Sequence, residues 1–263
     1  MTITGSKAFE GVVGGSRQLW LESLSSVQRQ SLRVFCFPYA GGNAQVFRKW
    51  QRYFPSDIDV CLVHLPGRGN RIGETPFTRL LLLVDALANL FAREAQQPFV
   101  LFGHSLGALI SFELTRELRR RRLALPLGLI LSGRGAPSVP GLESPTFNLP
   151  HDEFIAKIRG LNGTPKELLD DPETRDFFLP TLRADFEMVD TYEYHPEEKL
   201  STPITVYGGI QDEEVRIESL RAWEELTSGS WRLRMFPGDH FFIHNAGINF
   251  LELFRSDVLK HLT

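Results

Sequence analysis

Hydrophobic and polar positions along the chain form short apolar runs that alternate with longer segments of helical periodicity. The apolar runs are nearly continuous, which is typical of strands covered by helices on both faces. The predicted strands are 32–37, 59–64, 98–103, 127–133, 204–209 and 231–236. The predicted helices are 43–54, 78–96, 106–123, 215–227 and 245–261. This order predicts an α/β domain with a mostly parallel sheet and right-handed crossovers.

Three segments depart from this alternation. The segment 17–23 predicts an additional edge strand, and the glycine- and serine-rich residues 1–16 predict a flexible tail. No strand pattern occurs between 134 and 200, an interval much longer than ordinary connections in such folds. Helical patterns within it lie near 151–160 and 173–192. We expect one domain over 17–263 with a helical lid inserted at about 134–200; a small independent domain is the alternative.

Composition narrows the class of protein. The 263 residues are 42% hydrophobic and 23% charged, with a formal net charge of −3. This balance gives no overall attraction to nucleic acid or to an anionic membrane, and no apolar run approaches the ~20 residues that cross a bilayer. The start resembles no secretory signal, and Cys36 and Cys61 lie in strand patterns, as expected for buried thiols in a reducing compartment. We expect a cytoplasmic monomer.

A serine lies between two glycines in the sequence GHSLG, residues 103–107. The G-x-S-x-G pattern alone is weak, but here a predicted strand leads directly into it and a predicted helix leads out. Such a strand–turn–helix unit is typical of a nucleophile elbow, whose close packing requires the glycines and which exposes the serine hydroxyl. The alternative is a serine in an ordinary turn. Ser105 is the predicted nucleophile, and it needs a histidine base and an orienting acid.

The base is sought among seven histidines. In folds with this elbow the chain order is serine, acid, histidine, which excludes His64 and His104 because they precede the serine. His240 directly follows the last predicted strand and is the predicted base. His244 lies four residues further on and is the alternative, but His240 stands nearer the end of the strand.

The acid is predicted to be Asp212, which follows the strand 204–209. An aspartate in such a turn is more often a helix cap than a catalytic group. One side chain is not expected to do both easily, so Glu213 and Glu214 are alternatives for the charge.

The candidate residues all follow strands. Because ligands of parallel α/β sheets bind at the carboxyl ends of the strands, these residues are expected to meet at one edge. Acyl transfer also needs amide donors for the developing oxyanion. The predicted donors are the amide of Leu106, after the nucleophile, and that of Ala40, in the loop 37–42. Alternatively, Gly41 and Gly42 in that loop only permit a turn.

Six segments together resemble, in order, the stand-alone type II thioesterases that accompany polyketide synthases and nonribosomal peptide synthetases. They are FCFPYAGGNAQVFRKW, LPGRGNRIGE, FGHSLGALISFEL, LPTLRADFEMVDTY, VYGGIQDEEV and FPGDHFFI. The resemblance covers the chain from about residue 18 onward. It implies an α/β-hydrolase fold, a triad of Ser105, Asp212 and His240, and oxyanion donors at Ala40 and Leu106.

The same resemblance implies a substrate and a partner. Enzymes of this family remove acyl groups from the phosphopantetheine arm of acyl or peptidyl carrier proteins, which edits stalled or misprimed synthases. The resemblance also implies a lid-helix motif at LRAD, 182–185, a loop near the pocket mouth at LPGRGNR, 65–71, and no metal or diffusible cofactor.

Other functions remain open from the sequence. A small-molecule carboxylesterase would use the same triad, and a non-catalytic carrier-binding protein could retain the fold. The arginine-rich run 116–123 could dock an acidic carrier, but it lies far along the helix from Ser105. We expect it to be the solvated end of that helix.

Overall fold

The computed structural model describes residues 17–27, 30–139, 145–164, 169–245 and 247–262, so the predicted tail 1–16 lies outside the described residues. The strands are β1 (Leu21–Ser23), β2 (Leu32–Phe37), β3 (Ile58–Val63), β4 (Phe99–His104), β5 (Gly128–Ser132), β6 (Ile204–Gly209) and β7 (Trp231–Phe236). The α-helices are α1 (Arg17–Trp20), α2 (Leu80–Glu94), α3 (Leu106–Arg120), α4 (His151–Gly160), α5 (Pro172–Asp190), α6 (Ile217–Arg221), α7 (Phe242–Asn245) and α8 (Gly247–Leu259). Segments Ala44–Tyr53, Gly69–Arg71 and Ala222–Leu226 form 3-10 helices.

The seven strands found among the described residues form one sheet in the order β1-β3-β2-β4-β5-β6-β7. Of these described strands only β1 is antiparallel to its neighbour, so the prediction of a mostly parallel sheet is confirmed. The edge strand is shorter than the predicted 17–23, since Arg17–Trp20 is helical. Trp20 and Leu21 are both buried in the same cluster, which the alternating faces of a strand do not allow.

Two apolar layers cover the sheet. Helices α2 and α3 bury one face, in a cluster that includes Phe35, Leu101 and Leu129 of the central strands. The 3-10 helix Ala44–Tyr53 and α8 bury the other face around Val34 and Phe102. The central strands β2, β3, β4, β5 and β6 are buried along their whole length, which explains their continuous apolar sequences.

The interval between β5 and β6 contributes no strand to the sheet among its described residues. Helices α4 and α5 lie there, close to the predicted 151–160 and 173–192. They share a separate apolar cluster around Phe154 and Ile158 from α4 and Leu179 and Leu182 from α5. The insertion therefore has a small core of its own beside the core of the sheet.

Helix α3 ends at Arg120, whereas the predicted helix continues to Leu123. Arg122 adopts a left-handed conformation with φ of 57°. The amide of Leu123 donates to the Leu118 carbonyl at 2.9 Å, and the amide of Arg122 donates to the Arg119 carbonyl at 3.0 Å. These two bonds form a Schellman motif, which closes the helix and satisfies its last carbonyls.

The arginines at this helix end are ion-paired rather than only solvated. Arg119 and Arg120 each lie 2.6 Å from an oxygen of Glu197, and Arg121 lies 2.5 Å from Asp85 on α2. The run thus connects α3 to α2 and to the segment that leads into β6. Across the described residues, no helix has the length and apolar character needed to span a bilayer.

Arg122→Gly is predicted to stabilise the protein by about 1 kcal/mol, because glycine adopts the left-handed conformation without the steric cost of a side chain. Arg93→Gly is the matched control, since Arg93 is an exposed arginine in the last turn of α2 and is not among the residues with positive φ. There the same substitution should destabilise the protein by up to about 1 kcal/mol. Chemical denaturation of both variants measures the difference. Destabilisation of equal size in both would contradict the role assigned to φ at Arg122.

Candidate active site

The sheet order creates a crevice between the carboxyl ends of β2 and β4. From β2 the chain crosses to β3 on one side, and β4 lies on the other side, followed by β5. The loops after β2 and β4 therefore diverge, and ligands of open α/β sheets bind at such a switch point. The loop after β2 contains Ala40, and the turn after β4 contains Ser105.

Ser105 occupies a strained turn between β4 and α3. Its φ is 52° and its ψ is −112°, a conformation that costs a non-glycine residue of order 1–3 kcal/mol. A Cβ on Gly103 would overlap the backbone of Gly107, and a Cβ on Gly107 would overlap the carbonyl of Phe37. Backbone bonds hold the turn, since the Ser105 amide donates to the Ser132 carbonyl at 2.8 Å. The arrangement has the form of a nucleophile elbow.

Asp212 and His240 meet where the chain leaves β6 and β7. The Nδ1 atom of His240 lies 2.9 Å from Oδ2 of Asp212. Because a carboxylate accepts, Nδ1 carries the proton and Nε2 is left as an acceptor. The Asp212 side chain is 1% exposed and that of His240 is 12% exposed, so the pair is shielded while the imidazole still reaches the surface.

Asp212 also closes the turn that follows it. Its Oδ1 atom accepts from the amides of Glu214 at 2.9 Å and Val215 at 3.1 Å. Asp212 does not cap helix α6, whose N-cap is Arg216, so the expected conflict between helix capping and orienting a histidine does not arise. Oδ1 holds the turn and Oδ2 holds His240, so the turn bonds fix the carboxylate in the orientation that His240 needs.

His244 has a different partner from His240. Its Nε2 atom lies 3.0 Å from the hydroxyl of Tyr39, in the loop after β2. Burial raises the pKa of Tyr39 to about 12, so this hydroxyl stays protonated at neutral pH. His244, in α7, therefore connects the segment after β7 to the loop after β2, and its partner is not Asp212.

His104 lies under the site. It is fully buried, and its Nδ1 is 2.9 Å from the Ser132 hydroxyl. Burial is the main cause that holds the pKa of His104 well below its usual value, so the ring is neutral at pH 7. Its ring centroid lies 5.3 Å from that of His240. The base candidate therefore packs against the residue that precedes Ser105.

The Ser105 hydroxyl makes no hydrogen bond with another described residue. It is half-buried at the N-terminus of α3. The structure thus joins Asp212 to His240 and brings His240 beside the elbow, while the serine hydroxyl has no partner within the described part of the chain. In enzymes without substrate the hydrogen bond between nucleophile and base is often long or poorly aligned.

Two backbone amides next to the elbow are available. Leu106 is the first residue of α3, so its amide has no partner within the helix. The amide of Ala40 belongs to a turn that the Gly42 amide closes on the Tyr39 carbonyl at 2.8 Å. Neither Leu106 nor Ala40 donates a backbone hydrogen bond to another described residue. Both amides are therefore available to donate to an anion in the crevice.

A buried ion pair that the sequence does not predict adjoins this crevice. Arg68 donates to both oxygens of Asp185, at 2.6 and 2.7 Å, and both side chains are almost completely buried. Both residues lie in segments that the family resemblance had marked as the pocket-mouth loop and the lid-helix motif. Their direct contact had no signal in the sequence, because neither residue type nor spacing reveals a pairing across so many residues.

Gly107→Ala is predicted to destabilise the protein by at least about 2 kcal/mol, because the new methyl group would overlap the Phe37 carbonyl. Gly160→Ala is the matched control: the last residue of α4 has nothing within 4 Å of the added Cβ. That variant should keep or slightly raise the free energy of unfolding. Thermal and chemical denaturation compare the two. A Gly107→Ala protein as stable as the control would contradict the close packing of the elbow.

Known proteins share both the sequence and the architecture. The Thioesterase domain family matches residues 32–256. The gramicidin S biosynthesis protein GrsT of Aneurinibacillus migulanus is 42% identical over 89% of this chain and 91% of its own length.

Solved structures of type II thioesterases are similar to this chain along most of its length. The type II thioesterase BorB from the borrelidin biosynthetic cluster has a TM-score of 0.83 and 31% identity, covering 93% of this chain and 98% of its own. YbtT, a type II thioesterase from the yersiniabactin NRPS/PKS pathway, has a TM-score of 0.80 and 30% identity, covering 93% and 100%. The chain therefore belongs to the thioesterase family, has the α/β-hydrolase fold of the type II thioesterases and is a thioester hydrolase.

Proposed function

We propose that this protein is a serine thioesterase that hydrolyses acyl groups from the phosphopantetheine arm of acyl or peptidyl carrier proteins. In that role it edits stalled or misprimed polyketide and nonribosomal peptide synthases. The observation that carries the proposal is the hydrogen bond between His240 and Asp212 beside the strained elbow of Ser105. A serine hydroxyl is a weak nucleophile, and an oriented imidazole is what activates it.

The proposed reaction begins with attack of the Ser105 hydroxyl on the thioester carbonyl. His240 takes the hydroxyl proton at Nε2, and Asp212 holds the ring in the tautomer that leaves this nitrogen free. The tetrahedral intermediate expels the pantetheine thiol, which receives the proton from His240. Water then enters, the same imidazole removes its proton, and the acyl-serine is hydrolysed to acid and free enzyme.

The proposed oxyanion donors are the amides of Ala40 and Leu106. Neither amide has a backbone acceptor among the residues that the structure describes, and Leu106 also lies at the positive end of α3. One such donor typically contributes ~3 kcal/mol of transition-state stabilisation. Because a thiolate leaves more readily than an amine or an alkoxide, these groups suffice for a thioester. We expect the reaction to need no metal ion or diffusible cofactor.

The carrier-bound substrate is proposed from the relatives. GrsT is named for gramicidin S biosynthesis, and YbtT belongs to a pathway of nonribosomal peptide and polyketide enzymes. Synthases of these classes hold their intermediates on carriers, so an associated hydrolase meets its substrates there. Such a role would place the protein in the cytoplasm, in agreement with the buried thiols of Cys36 and Cys61.

The insertion is proposed to act as a lid over this site. Helix α5 contacts the loops after β2 and β3, on the side of the sheet where Ser105 lies. Pro180 interrupts the hydrogen bonding of α5 just before these contacts. The segment N-terminal to Pro180 includes Phe177, which is 58% exposed. It is therefore the part of the lid expected to move with least loss of contacts.

Ser105→Ala is predicted to lower hydrolysis of an acyl-carrier thioester by at least ~10³-fold, because no other group can form the acyl intermediate. The control is Ser31→Ala, an exposed serine that precedes β2 at the opposite edge of the sheet. Free thiol release from a loaded carrier measures both. A fluorophosphonate probe should label the wild type and the control but not Ser105→Ala. Turnover near wild type in Ser105→Ala would remove this residue from the mechanism.

Substrate preference separates the proposed role from that of a small-molecule esterase. The value of kcat/KM should be highest for an acyl group on a carrier protein, lower for the same acyl group on N-acetylcysteamine, and lowest for the p-nitrophenyl ester. A carrier adds contacts outside the pocket, which small substrates lack. A preference for the p-nitrophenyl ester over the loaded carrier would favour the carboxylesterase alternative, and absence of turnover with all three would favour a carrier-binding protein.

A further inference from the structure

Helix α5 is attached to two loops that border the crevice. The Thr181 hydroxyl donates to the Gly67 carbonyl in the loop after β3, at 2.6 Å. One turn later, Asp185 accepts the backbone amide of Gly41 at 2.6 Å. Between them, Leu182 packs so closely on Gly41 that a Cβ there would overlap its side chain. A single face of the lid helix thus holds the loop that contains Ala40.

The loop held in this way is a tight turn. The Gly42 amide donates to the Tyr39 carbonyl at 2.8 Å, and Gly41 has φ of +71°. The φ of Ala40 is negative. A negative φ at the second residue followed by a positive φ at the third fits a type II turn. In such a turn the amide of the third residue points away from the closing hydrogen bond. Asp185 accepts that amide and fixes the peptide plane that follows Ala40.

The Asp185 carboxylate has a complete set of partners. Its Oδ2 atom accepts from Gly41 and from Arg68, both at 2.6 Å, and Oδ1 accepts from Arg68 at 2.7 Å. The carboxylate is fully buried, so no water can replace a lost contact without moving α5. Charge-assisted bonds of this kind are short and directional. The position of the turn is therefore tied to the position of the lid helix.

We propose that Asp185 is a positioning residue of the oxyanion hole. It holds the turn Tyr39–Gly42 so that the Ala40 amide meets the developing oxyanion, and the hole is complete only while α5 is docked. The proposal rests on the proposed function, because it takes the Ala40 amide as a donor. Donors of an oxyanion hole act within a few tenths of an ångström, so a loosened turn would weaken transition-state binding more than substrate binding.

A purely structural role makes a different prediction. If Asp185 only anchors the lid, its loss should reduce stability and the fraction of active protein, but each remaining active enzyme should keep its kcat. Asp190 provides the matched control on the same helix. Its Oδ2 atom accepts two amides, from Thr146 at 2.6 Å and Phe147 at 2.9 Å, in the part of the insertion that precedes α4.

The experiment compares Asp185→Ala, Asp185→Asn and Asp190→Ala, each normalised to active sites titrated with a fluorophosphonate. We expect kcat of Asp185→Ala to fall about 10- to 100-fold with KM within about threefold. Asp185→Asn should lie between Asp185→Ala and the wild type, because its side-chain oxygen can still accept the Gly41 amide. Asp190→Ala should lose stability but keep kcat within about threefold of the wild type.

An acyl trifluoromethyl ketone provides the second readout, since its adduct with Ser105 places an oxyanion in the hole. Its affinity should fall by the same factor as kcat in the Asp185 variants and stay unchanged in Asp190→Ala. If Asp185→Ala fails to fold, Asp185→Asn decides by the same two measurements. Wild-type kcat per titrated site together with wild-type ketone affinity in the Asp185 variants would overturn the proposal.

The same measurements separate this inference from the proposed function. A wild-type protein that binds the ketone at Ser105 but releases no thiol from loaded carriers would refute the thioesterase role. The effect of Asp185 on ketone affinity would then still decide the positioning role. A wild-type protein that neither binds the ketone nor reacts with the fluorophosphonate would refute both proposals.

Discussion

The close approach of α3 to the end of β2 is the constraint on which the site depends. It is possible only because Gly103 and Gly107 have no side chains, and it forces Ser105 into a left-handed conformation. The strain is offset by backbone bonds on both sides, from the Ser105 amide to Ser132 and from the Ala108 amide to Ser105. A turn built in this way directs a hydroxyl into the crevice and leaves the amide of Leu106 without an acceptor among the described residues.

The other groups of the site depend on the ends of neighbouring strands. Asp212 is held by hydrogen bonds to the turn that it closes. His240 is held by Asp212 and by contact with the neutral ring of His104. Asp212 and His240 are thus each oriented by another group before any substrate arrives. Such preorganisation is the main source of electrostatic stabilisation in enzymes, because little reorganisation is needed during the reaction.

The insertion combines stability and positioning in one contact. The buried pair of Arg68 and Asp185 joins the lid helix to the sheet domain, and the same carboxylate accepts the amide next to Ala40. Loss of one partner of a buried ion pair typically destabilises by 3–5 kcal/mol, so the lid helix is firmly seated at this point. The apolar cluster around Phe154 gives the remainder of the insertion its own packing.

The strands of the sheet, the elbow and the chain order of the candidate groups are predictable from apolar patterning and from the placement of glycines. Strands β2, β6 and β7 have the predicted bounds, β3, β4 and β5 differ by one residue at each end, and β1 is four residues shorter than predicted. Buried parallel strands need continuous apolar runs, and glycines mark the close approach at Ser105. Only the folded structure shows that Asp212 holds a turn and orients His240, that His244 bonds to Tyr39, and that Asp185 reaches Arg68 and Gly41. Those contacts join residues far apart in the chain, and local periodicity carries no information about them. These partners meet only because the fold brings their loops and helices together.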